Sequence, residues 1–195
     1  GEKDACKHTG SLIWEKSAEG TYSLVCRSCN ETLLPAQSEL PTVYLNNTGS
    51  DANLGTETAP VLTLEEAVRR LTETGGSVFL QNRYTITKSI VLPEWSGKIT
   101  FCSTTDATGN ANNGFYFGFT STIDTYNRFV DENVCLSLGG DAEFNNIVFK
   151  GNSPYKSEDS KGKDTVLGIA ANWHNVDFTY IRFHDRARVV FVEGT

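Results

Sequence analysis

The chain has 195 residues, a formal net charge of −7 and 38% hydrophobic residues, a length that fits one ordinary domain with a small appendage. An acidic chain without a basic stripe argues against nucleic acid as a partner, and no apolar run approaches the roughly 20 residues that span a bilayer. The sequence contains no methionine and no secretory leader and begins at Gly1, so we expect it to be a segment of a longer protein.

Two short-spaced pairs of metal-binding residues lie near the start of the chain. Cys6 and His8 form a Cys-x-His pair, and Cys26 and Cys29 form a Cys-x-x-Cys pair. Thiolate and imidazole are ligands that zinc prefers, and four protein ligands indicate a structural site. The pattern predicts a zinc-ribbon-like module over residues 1–34. The alternative is a disulfide among Cys6, Cys26 and Cys29, which would leave His8 without a role.

The composition changes after this module. The segment LLPAQSELP contains two prolines and no periodic pattern, which predicts a linker over residues 35–42. A short strand is predicted at 43–45, and a turn-rich segment follows it. In that segment Gly49, Ser50 and Asp51, together with Asn53, could hold a calcium ion; the alternative is an Asx-type turn.

The clearest helix signal comes next. Thr63 is the predicted N-cap, and Glu66 is placed to complete a capping box. Four apolar residues share one face of this helix: Leu64, Ala67, Val68 and Leu71. Gly75 and Gly76 are expected to end it. Such an amphipathic helix must cover an apolar surface.

Short strands are predicted after the helix at 77–80, 84–87, 90–92 and 98–102. Two later segments repeat, AEFNNIVFKG at 142–151 and VDFTYIRFHD at 176–185. Their alignment pairs three apolar positions: Phe144 with Phe178, Ile147 with Ile181 and Phe149 with Phe183. The apolar alternation changes phase at Asn146 and at Tyr180, which predicts a bend at each.

The two copies are 34 residues apart, from 178 minus 144. Removal of a predicted surface loop at 152–163, which has 12 residues, leaves 22, a period typical of solenoids. In a solenoid, equivalent apolar side chains of successive repeats stack in columns. A final strand is predicted at 188–192.

An aromatic run lies in the Gly- and Asn-rich stretch 103–133. Alternation places Phe115, Phe117 and Phe119 on the core side of a strand, which leaves Tyr116 and Tyr126 for the surface. Flat aromatic faces stack on sugar C–H surfaces, so these two tyrosines are candidate glycan contacts; core packing is the alternative. Cys102 and Cys135 lie in apolar contexts and are predicted to be buried free thiols that act as small core residues; a disulfide between them is the alternative.

Further polar candidates lie near the repeat. Trp173 and His174, together with His184 and Asp177, could line a groove with a sugar-stacking ring and a general base, although ordinary surface or turn roles are the alternative. A second group of charged residues is a weaker candidate for catalysis: Asp141, Glu143 and Asp177, with Lys150, Arg182 and Arg186 near them. Ordinary solvated charges on the outward face of a strand would give the same sequence pattern. The sequence therefore identifies no catalytic residues.

The runs VYLNNTGSDANLGTETAPVLTLEEAV and GGSVFLQNRYTITKSIVLPEWSGKITF resemble the opening of right-handed parallel β-helix proteins of the pectate-lyase-like superfamily. The resemblance implies a mainly all-β fold, with a capping α-helix and the first rungs of a β-helix over 43–195. Members include polysaccharide lyases, glycoside hydrolases, epimerases and non-catalytic surface proteins, so the fold does not select an activity. The Cys/His module is similar to metal-binding inserts in large surface proteins of gut Firmicutes.

We therefore expect a glycan-binding or scaffolding portion of a secreted bacterial cell-surface protein, with structural zinc and a polysaccharide or cell-surface glycan as its partner. The alternative is the N-terminal part of a polysaccharide lyase or glycoside hydrolase. A lyase of this kind would need carboxylates that hold calcium against a uronate, and a Lys or Arg as base.

Overall fold

The computed structural model describes residues 6–118, 135–151, 164–167, 170–179, 181–183 and 189–191. Over these ranges the protein is mostly β-structure with one short α-helix. No helix in the described part of the chain is long and apolar enough to cross a membrane.

In chain order the first elements are β1 (Leu12–Lys16), β2 (Tyr22–Cys26), β3 (Thr32–Gln37), β4 (Thr42–Leu45), α1 (Leu64–Arg69), β5 (Gly76–Leu80), β6 (Tyr84–Ile86), β7 (Ile90–Val91) and β8 (Lys98–Ser103). The remaining strands are β9 (Gly114–Phe117), β10 (Cys135–Ser137), β11 (Asp141–Asn145), β12 (Val148–Lys150), β13 (Asp164–Leu167), β14 (Ala170–His174), β15 (Asp177–Thr179), β16 (Ile181–Phe183) and β17 (Val189–Phe191).

The first three strands form an antiparallel sheet in the order β1-β2-β3. Alternation along β1 buries Leu12 and Trp14. Residues 35–37 of the predicted linker belong to β3, so the stretch without strand structure before β4 is shorter than predicted. A proline fits here because β3 is an edge strand, where a missing N–H is tolerated.

The helix begins where the sequence predicts, and Thr63 is its N-cap: its Oγ1 accepts a hydrogen bond from the Glu66 N–H at 3.2 Å. The other half of the predicted capping box is wrong. The Thr63 N–H donates to the Asp51 carboxylate at 2.8 Å, while the Glu66 carboxylate accepts from Arg69 and Arg70. Asp51, distant in sequence, occupies the position that Glu66 would have filled.

Strands β4 to β17 form three parallel sheets. Sheet A contains β4, β5, β8, β11, β14 and β17; sheet B contains β6, β9, β12 and β15; sheet C contains β7, β10, β13 and β16. From β5 to β16 the chain passes through sheets A, B and C in that order four times. The strands predicted between 43 and 102 are confirmed, each with one end that differs by one residue.

Apolar side chains at matching register positions stack inside these sheets. In sheet A, Phe101 stacks on Phe144 with ring centroids 5.0 Å apart, and Phe144 stacks on Trp173 at 4.5 Å. In sheet B, Phe149 stacks on Phe115 at 5.4 Å and on Phe178 at 5.3 Å. The two columns meet edge to face, so the core is continuous between the sheets.

The observed register corrects the predicted repeat. Phe144 pairs with Trp173 and Phe149 pairs with Phe178, an offset of 29 residues (173 minus 144) rather than 34. Asn146 and Asn175 are then equivalent, and both have left-handed backbone, with φ of 57° and 50°. The bend predicted at Asn146 is confirmed, whereas the second bend lies at Asn175. Tyr180 and the loop predicted at 152–163 lie outside the described residues.

An Asn side chain tolerates left-handed backbone better than most. The Asn175 Nδ2 donates to the Asn146 Oδ1 at 2.8 Å, and the Asn146 backbone N–H donates to the His174 carbonyl at 3.0 Å. These bonds join the two bends between sheets A and B.

Two neighbours cover the first part of the parallel sheets. The outer edge of β4 bonds the loop that follows it, because the Tyr44 N–H donates to the Gly55 carbonyl and the Val61 N–H donates to the Tyr44 carbonyl. The antiparallel sheet lies against α1: the Trp14 N–H donates to the Arg70 carbonyl at 2.9 Å, and the Arg69 guanidinium donates to the Leu12 carbonyl at 2.8 Å. The antiparallel sheet and α1 therefore share one apolar core.

Candidate metal centre and outer sheet surfaces

The four predicted metal ligands come together at one end of the antiparallel sheet. Cys6 and His8 precede β1, Cys26 ends β2, and Cys29 lies in the turn before β3. One ligand atom from each residue lies within 4.8 Å of all the others. This cluster could hold a metal ion.

The distances within the cluster fit tetrahedral coordination. The Cys6 and Cys26 sulfurs are 3.7 Å apart, and the Cys29 sulfur is 3.5 Å from the His8 Nδ1. Zinc bonds of about 2.3 Å to sulfur and about 2.0 Å to nitrogen place two such ligands about 3.8 and about 3.5 Å apart at the tetrahedral angle. A disulfide needs about 2.05 Å, so Cys6 and Cys26 are not bonded to each other.

The second nitrogen of His8 has an acidic neighbour. Its Nε2 lies 3.4 Å from the Glu31 carboxylate, while Nδ1 faces the sulfurs. Histidines that bind metals usually donate their other N–H to such an acceptor, which fixes the ring orientation and the tautomer. Glu31 is therefore a positioning residue that the spacing of the four ligands did not indicate.

The thiols of the cluster influence one another. Burial by itself would raise the pKa of Cys26, but hydrogen bonds from His8 and from the Ser28 and Cys29 backbone lower this pKa to about 6. The Glu31 backbone N–H would lower the pKa of Cys29, yet desolvation and the Cys6 and Cys26 thiols raise it to about 11. One thiolate thus forms readily, whereas several thiolates together require a nearby cation.

The oxygens of the predicted calcium loop are occupied by protein donors. The Asp51 carboxylate accepts hydrogen bonds from the Leu62 and Thr63 N–H groups and from the Thr63 hydroxyl. The Arg70 guanidinium, which is fully buried, donates to the carbonyls of Asp51 at 2.8 Å and Asn53 at 2.6 Å. The loop therefore positions the first residues of the helix, as the Asx-type turn alternative predicts. The positive charge beside its carbonyls is the guanidinium of Arg70.

Trp173, His174 and Asp177 do not form one groove. Trp173 is only 2% exposed and its ring stacks in the core, so the ring is unavailable to a sugar. His174 lies on the outer side of sheet A, whereas Asp177 is exposed in β15 of sheet B. The predicted sugar-stacking role of Trp173 is wrong because the true register turns its side chain inward.

A hollow of about 260 Å³ lies on the outer side of sheet A. It is lined by residues of two neighbouring strands: Glu143, Asn145, Asn172, Trp173 and His174. Glu143 lies beside Asn172 and Asn145 beside His174 in the strand register. The Asn145 Oδ1 is buried and accepts no hydrogen bond from the described residues. The alternating polar positions of both strands are the sequence signal for this hollow.

Glu143 is ionised within this hollow. Lys98 donates to its carboxylate at 2.6 Å and Asn145 at 2.8 Å, and these hydrogen bonds, Lys98 first, lower the pKa of Glu143. A carboxylate held in this form does not serve as a general acid at neutral pH. Asp141 is exposed on the same strand, Lys150 lies in sheet B, and the side chains of Arg182, His184 and Arg186 lie outside the described part.

The aromatic run behaves as alternation predicts in its described part. Phe115 and Phe117 are buried, and Tyr116 lies on the outer side of sheet B. The Arg83 guanidinium carbon lies 3.9 Å from the Tyr116 ring centroid, so a cation covers the face that was expected to meet a sugar. Phe119 and Tyr126 lie outside the described residues.

Cys102 is half-buried on the outer side of sheet A rather than in the core, and burial raises its pKa to about 11. Cys135 lies in β10 of sheet C, on the side opposite the buried Leu136. The prediction of core positions for these thiols is therefore wrong.

Comparisons with known proteins give no match to a protein-family model, a curated protein or a solved structure.

Proposed function

We propose that this chain is a glycan-binding or scaffolding portion of a secreted bacterial cell-surface protein. The three parallel sheets are proposed to form a right-handed parallel β-helix, and α1 to cap it. The cyclic order of sheets A, B and C and the stacked core columns support this fold. Parallel strand connections are almost always right-handed, which supports the handedness.

The observation that carries the binding function is the hollow on the outer side of sheet A. It offers an imidazole, two amides and a carboxylate, groups that form hydrogen bonds with sugar hydroxyls. Beside these groups, the buried Asn145 Oδ1 accepts no hydrogen bond from the described residues. A volume of about 260 Å³ lies below the roughly 300 to 1,000 Å³ of sites that enclose drug-sized ligands, so the hollow suits one unit of a polymer.

Two observations favour binding over the alternative, a polysaccharide lyase or glycoside hydrolase. Glu143 is paired with Lys98 and is ionised, so it does not act as the general acid that a glycoside hydrolase requires. Within the described ranges, the Cys6–His8–Cys26–Cys29 cluster is the one group of three or more metal-binding side chains that could share an ion. A carboxylate cluster for catalytic calcium is thus not found among those residues.

A glycan array and a cleavage assay test this proposal. The chain should be retained on at least one glycan, and the double variant Asn145→Ala, Asn172→Ala should bind it about tenfold more weakly, because two hydrogen bonds of about 0.5–1.5 kcal/mol each are lost. Ser77→Ala, on the same face of sheet A, is the matched control and should bind normally. Release of unsaturated uronate would favour the lyase, and no retention on any glycan would contradict the binding function.

We further propose that the metal is zinc and that its role is structural. Three sulfurs and one imidazole nitrogen lie within 4.8 Å of one another, and two of their separations have tetrahedral values, which supports this choice; four protein ligands leave no open position for a substrate. Protein purified without added metal should contain about one zinc per chain by elemental analysis. A chain that contains less than a tenth of this amount while its cysteines are reduced would contradict the proposal.

A further inference from the structure

A second polar surface lies on the outer side of sheet B, away from the hollow. Its centre is Tyr116 of β9, which lies between Thr85 of β6 and Lys150 of β12 in the strand register. The Arg83 guanidinium carbon is 3.9 Å from the Tyr116 ring centroid, and the Lys150 Nζ is 5.9 Å from it. Arg83, Tyr116 and Lys150 together are called the Tyr116 cluster.

The two cations of this cluster have no acidic partner in the described part of the chain. Both side chains are exposed, and neither forms an ion pair there. Other cations of this acidic protein do pair with carboxylates: Arg27, Arg69, Arg70 and Lys98. Two like charges beside one ring repel each other, and a bound anion would remove this repulsion.

Stacking prepares Arg83 for such an anion. A guanidinium against a tyrosine ring is held by a cation–π contact, so it loses less side-chain entropy when it binds a ligand. Its N–H donors lie around the rim of the planar group and match the two oxygens of a carboxylate or sulfate. Lys150 adds a second charge from the neighbouring strand.

We propose that the Tyr116 cluster binds the oxyanion groups of an acidic polysaccharide, either sulfate esters or carboxylates. Arg83 forms the bidentate contact and Lys150 contacts the same or the next anionic group. The identification of the polymer as a polysaccharide rests on the proposed function, whereas the binding of an oxyanion rests on the cluster alone.

Affinity for immobilised dextran sulfate, with uncharged dextran of the same length as reference, tests the inference. The chain should bind dextran sulfate and not dextran. Arg83→Gln should weaken binding about tenfold, since the charge-assisted hydrogen bonds of the bidentate contact are lost. Arg83→Lys keeps the positive charge but lacks the planar guanidinium. Its affinity should lie between those of the unchanged chain and Arg83→Gln. Polygalacturonate in parallel distinguishes carboxylate from sulfate as the preferred group.

Lys16→Gln is the matched control, because the Lys16 Nζ also lies beside a tyrosine ring, 5.8 Å from the Tyr22 centroid, in the antiparallel sheet. It removes the same charge and should leave the affinity unchanged. Equal losses in Arg83→Gln and Lys16→Gln would mean that net charge alone governs binding, which overturns the inference. Unchanged binding in the double variant Arg83→Gln, Lys150→Gln would also overturn it.

The proposed role of the hollow and the proposed oxyanion site can each be refuted independently of the other. If the double variant Asn145→Ala, Asn172→Ala loses a neutral glycan while Arg83→Gln binds dextran sulfate normally, the hollow is the binding site and the oxyanion site is wrong. If only the Arg83 variants lose affinity, the oxyanion site holds and the role of the hollow is wrong. Arg83 and Lys150 are exposed, so circular dichroism should confirm an unchanged fold in their variants.

Discussion

At the scale of single residues, Glu31 lies beside the candidate metal ligand His8. Its carboxylate faces the His8 Nε2. We expect Glu31→Gln to weaken metal affinity roughly 10–100-fold, as loss of such outer partners does. Competition with a chromophoric chelator measures this change. Glu39→Gln removes one exposed charge away from the cluster and should have no effect; equal affinities of the two variants would show that Glu31 has no role.

Arg70 is a second residue with a large expected effect, in this case on the stability of the protein. Its buried guanidinium joins Glu66 to the carbonyls of Asp51 and Asn53. Arg70→Met would leave both partly buried carbonyls without this donor, at about 1–3 kcal/mol each, so unfolding in urea should occur at a clearly lower midpoint. The exposed Lys88→Met should change stability by less than about 0.5 kcal/mol. An unchanged midpoint for Arg70→Met would contradict this account.

At the scale of elements, the Asn bends join sheets A and B. Asn146→Ala should destabilise the protein by roughly 1–2 kcal/mol, because alanine disfavours φ of 57° and cannot bond Asn175. Asn146→Gly keeps the backbone freedom and should lose less. Thermal unfolding measures both. Asn172→Ala, in an extended strand, is the control, and a larger loss there than at Asn146 would refute the strain argument.

Local signals predicted the elements better than their register. Thr63 was predictable as N-cap because capping depends on neighbours in the chain, and the metal ligands were predictable because their spacing is local. The predicted repeat matched Phe144 to Phe178, whereas the structure pairs Phe144 with Trp173. The predicted and observed offsets differ by five residues. Side chains alternate between the two faces of a strand, so an odd difference assigned Trp173 to the wrong face. Partners distant in sequence, such as Asp51 at the helix start, left no local signal.

At the scale of the whole molecule, the metal centre and the parallel sheets are joined through α1. We expect Cys26→Ala to unfold β1 to β3, because the binding energy of the metal is the folding energy of that small sheet. Hydrogen exchange should show loss of protection at the Trp14 amide, whose acceptor is the Arg70 carbonyl, while the Phe144 amide in sheet A stays protected.

Cys102→Ala is the control for this experiment, since Cys102 lies in sheet A away from the metal cluster. It should leave exchange at Trp14 unchanged. Simultaneous loss of protection at Trp14 and Phe144 in Cys26→Ala would show instead that the two parts unfold as one unit.

The loop bonded to the outer edge of β4 has a consequence for self-association. Parallel strands with a bare edge recruit strands from other copies and can grow into fibrils. Here the Tyr44 amide and carbonyl are already taken by Gly55 and Val61. Two copies of the chain that meet at this edge find the Tyr44 backbone groups already bonded, so polymerisation through added strands does not start there.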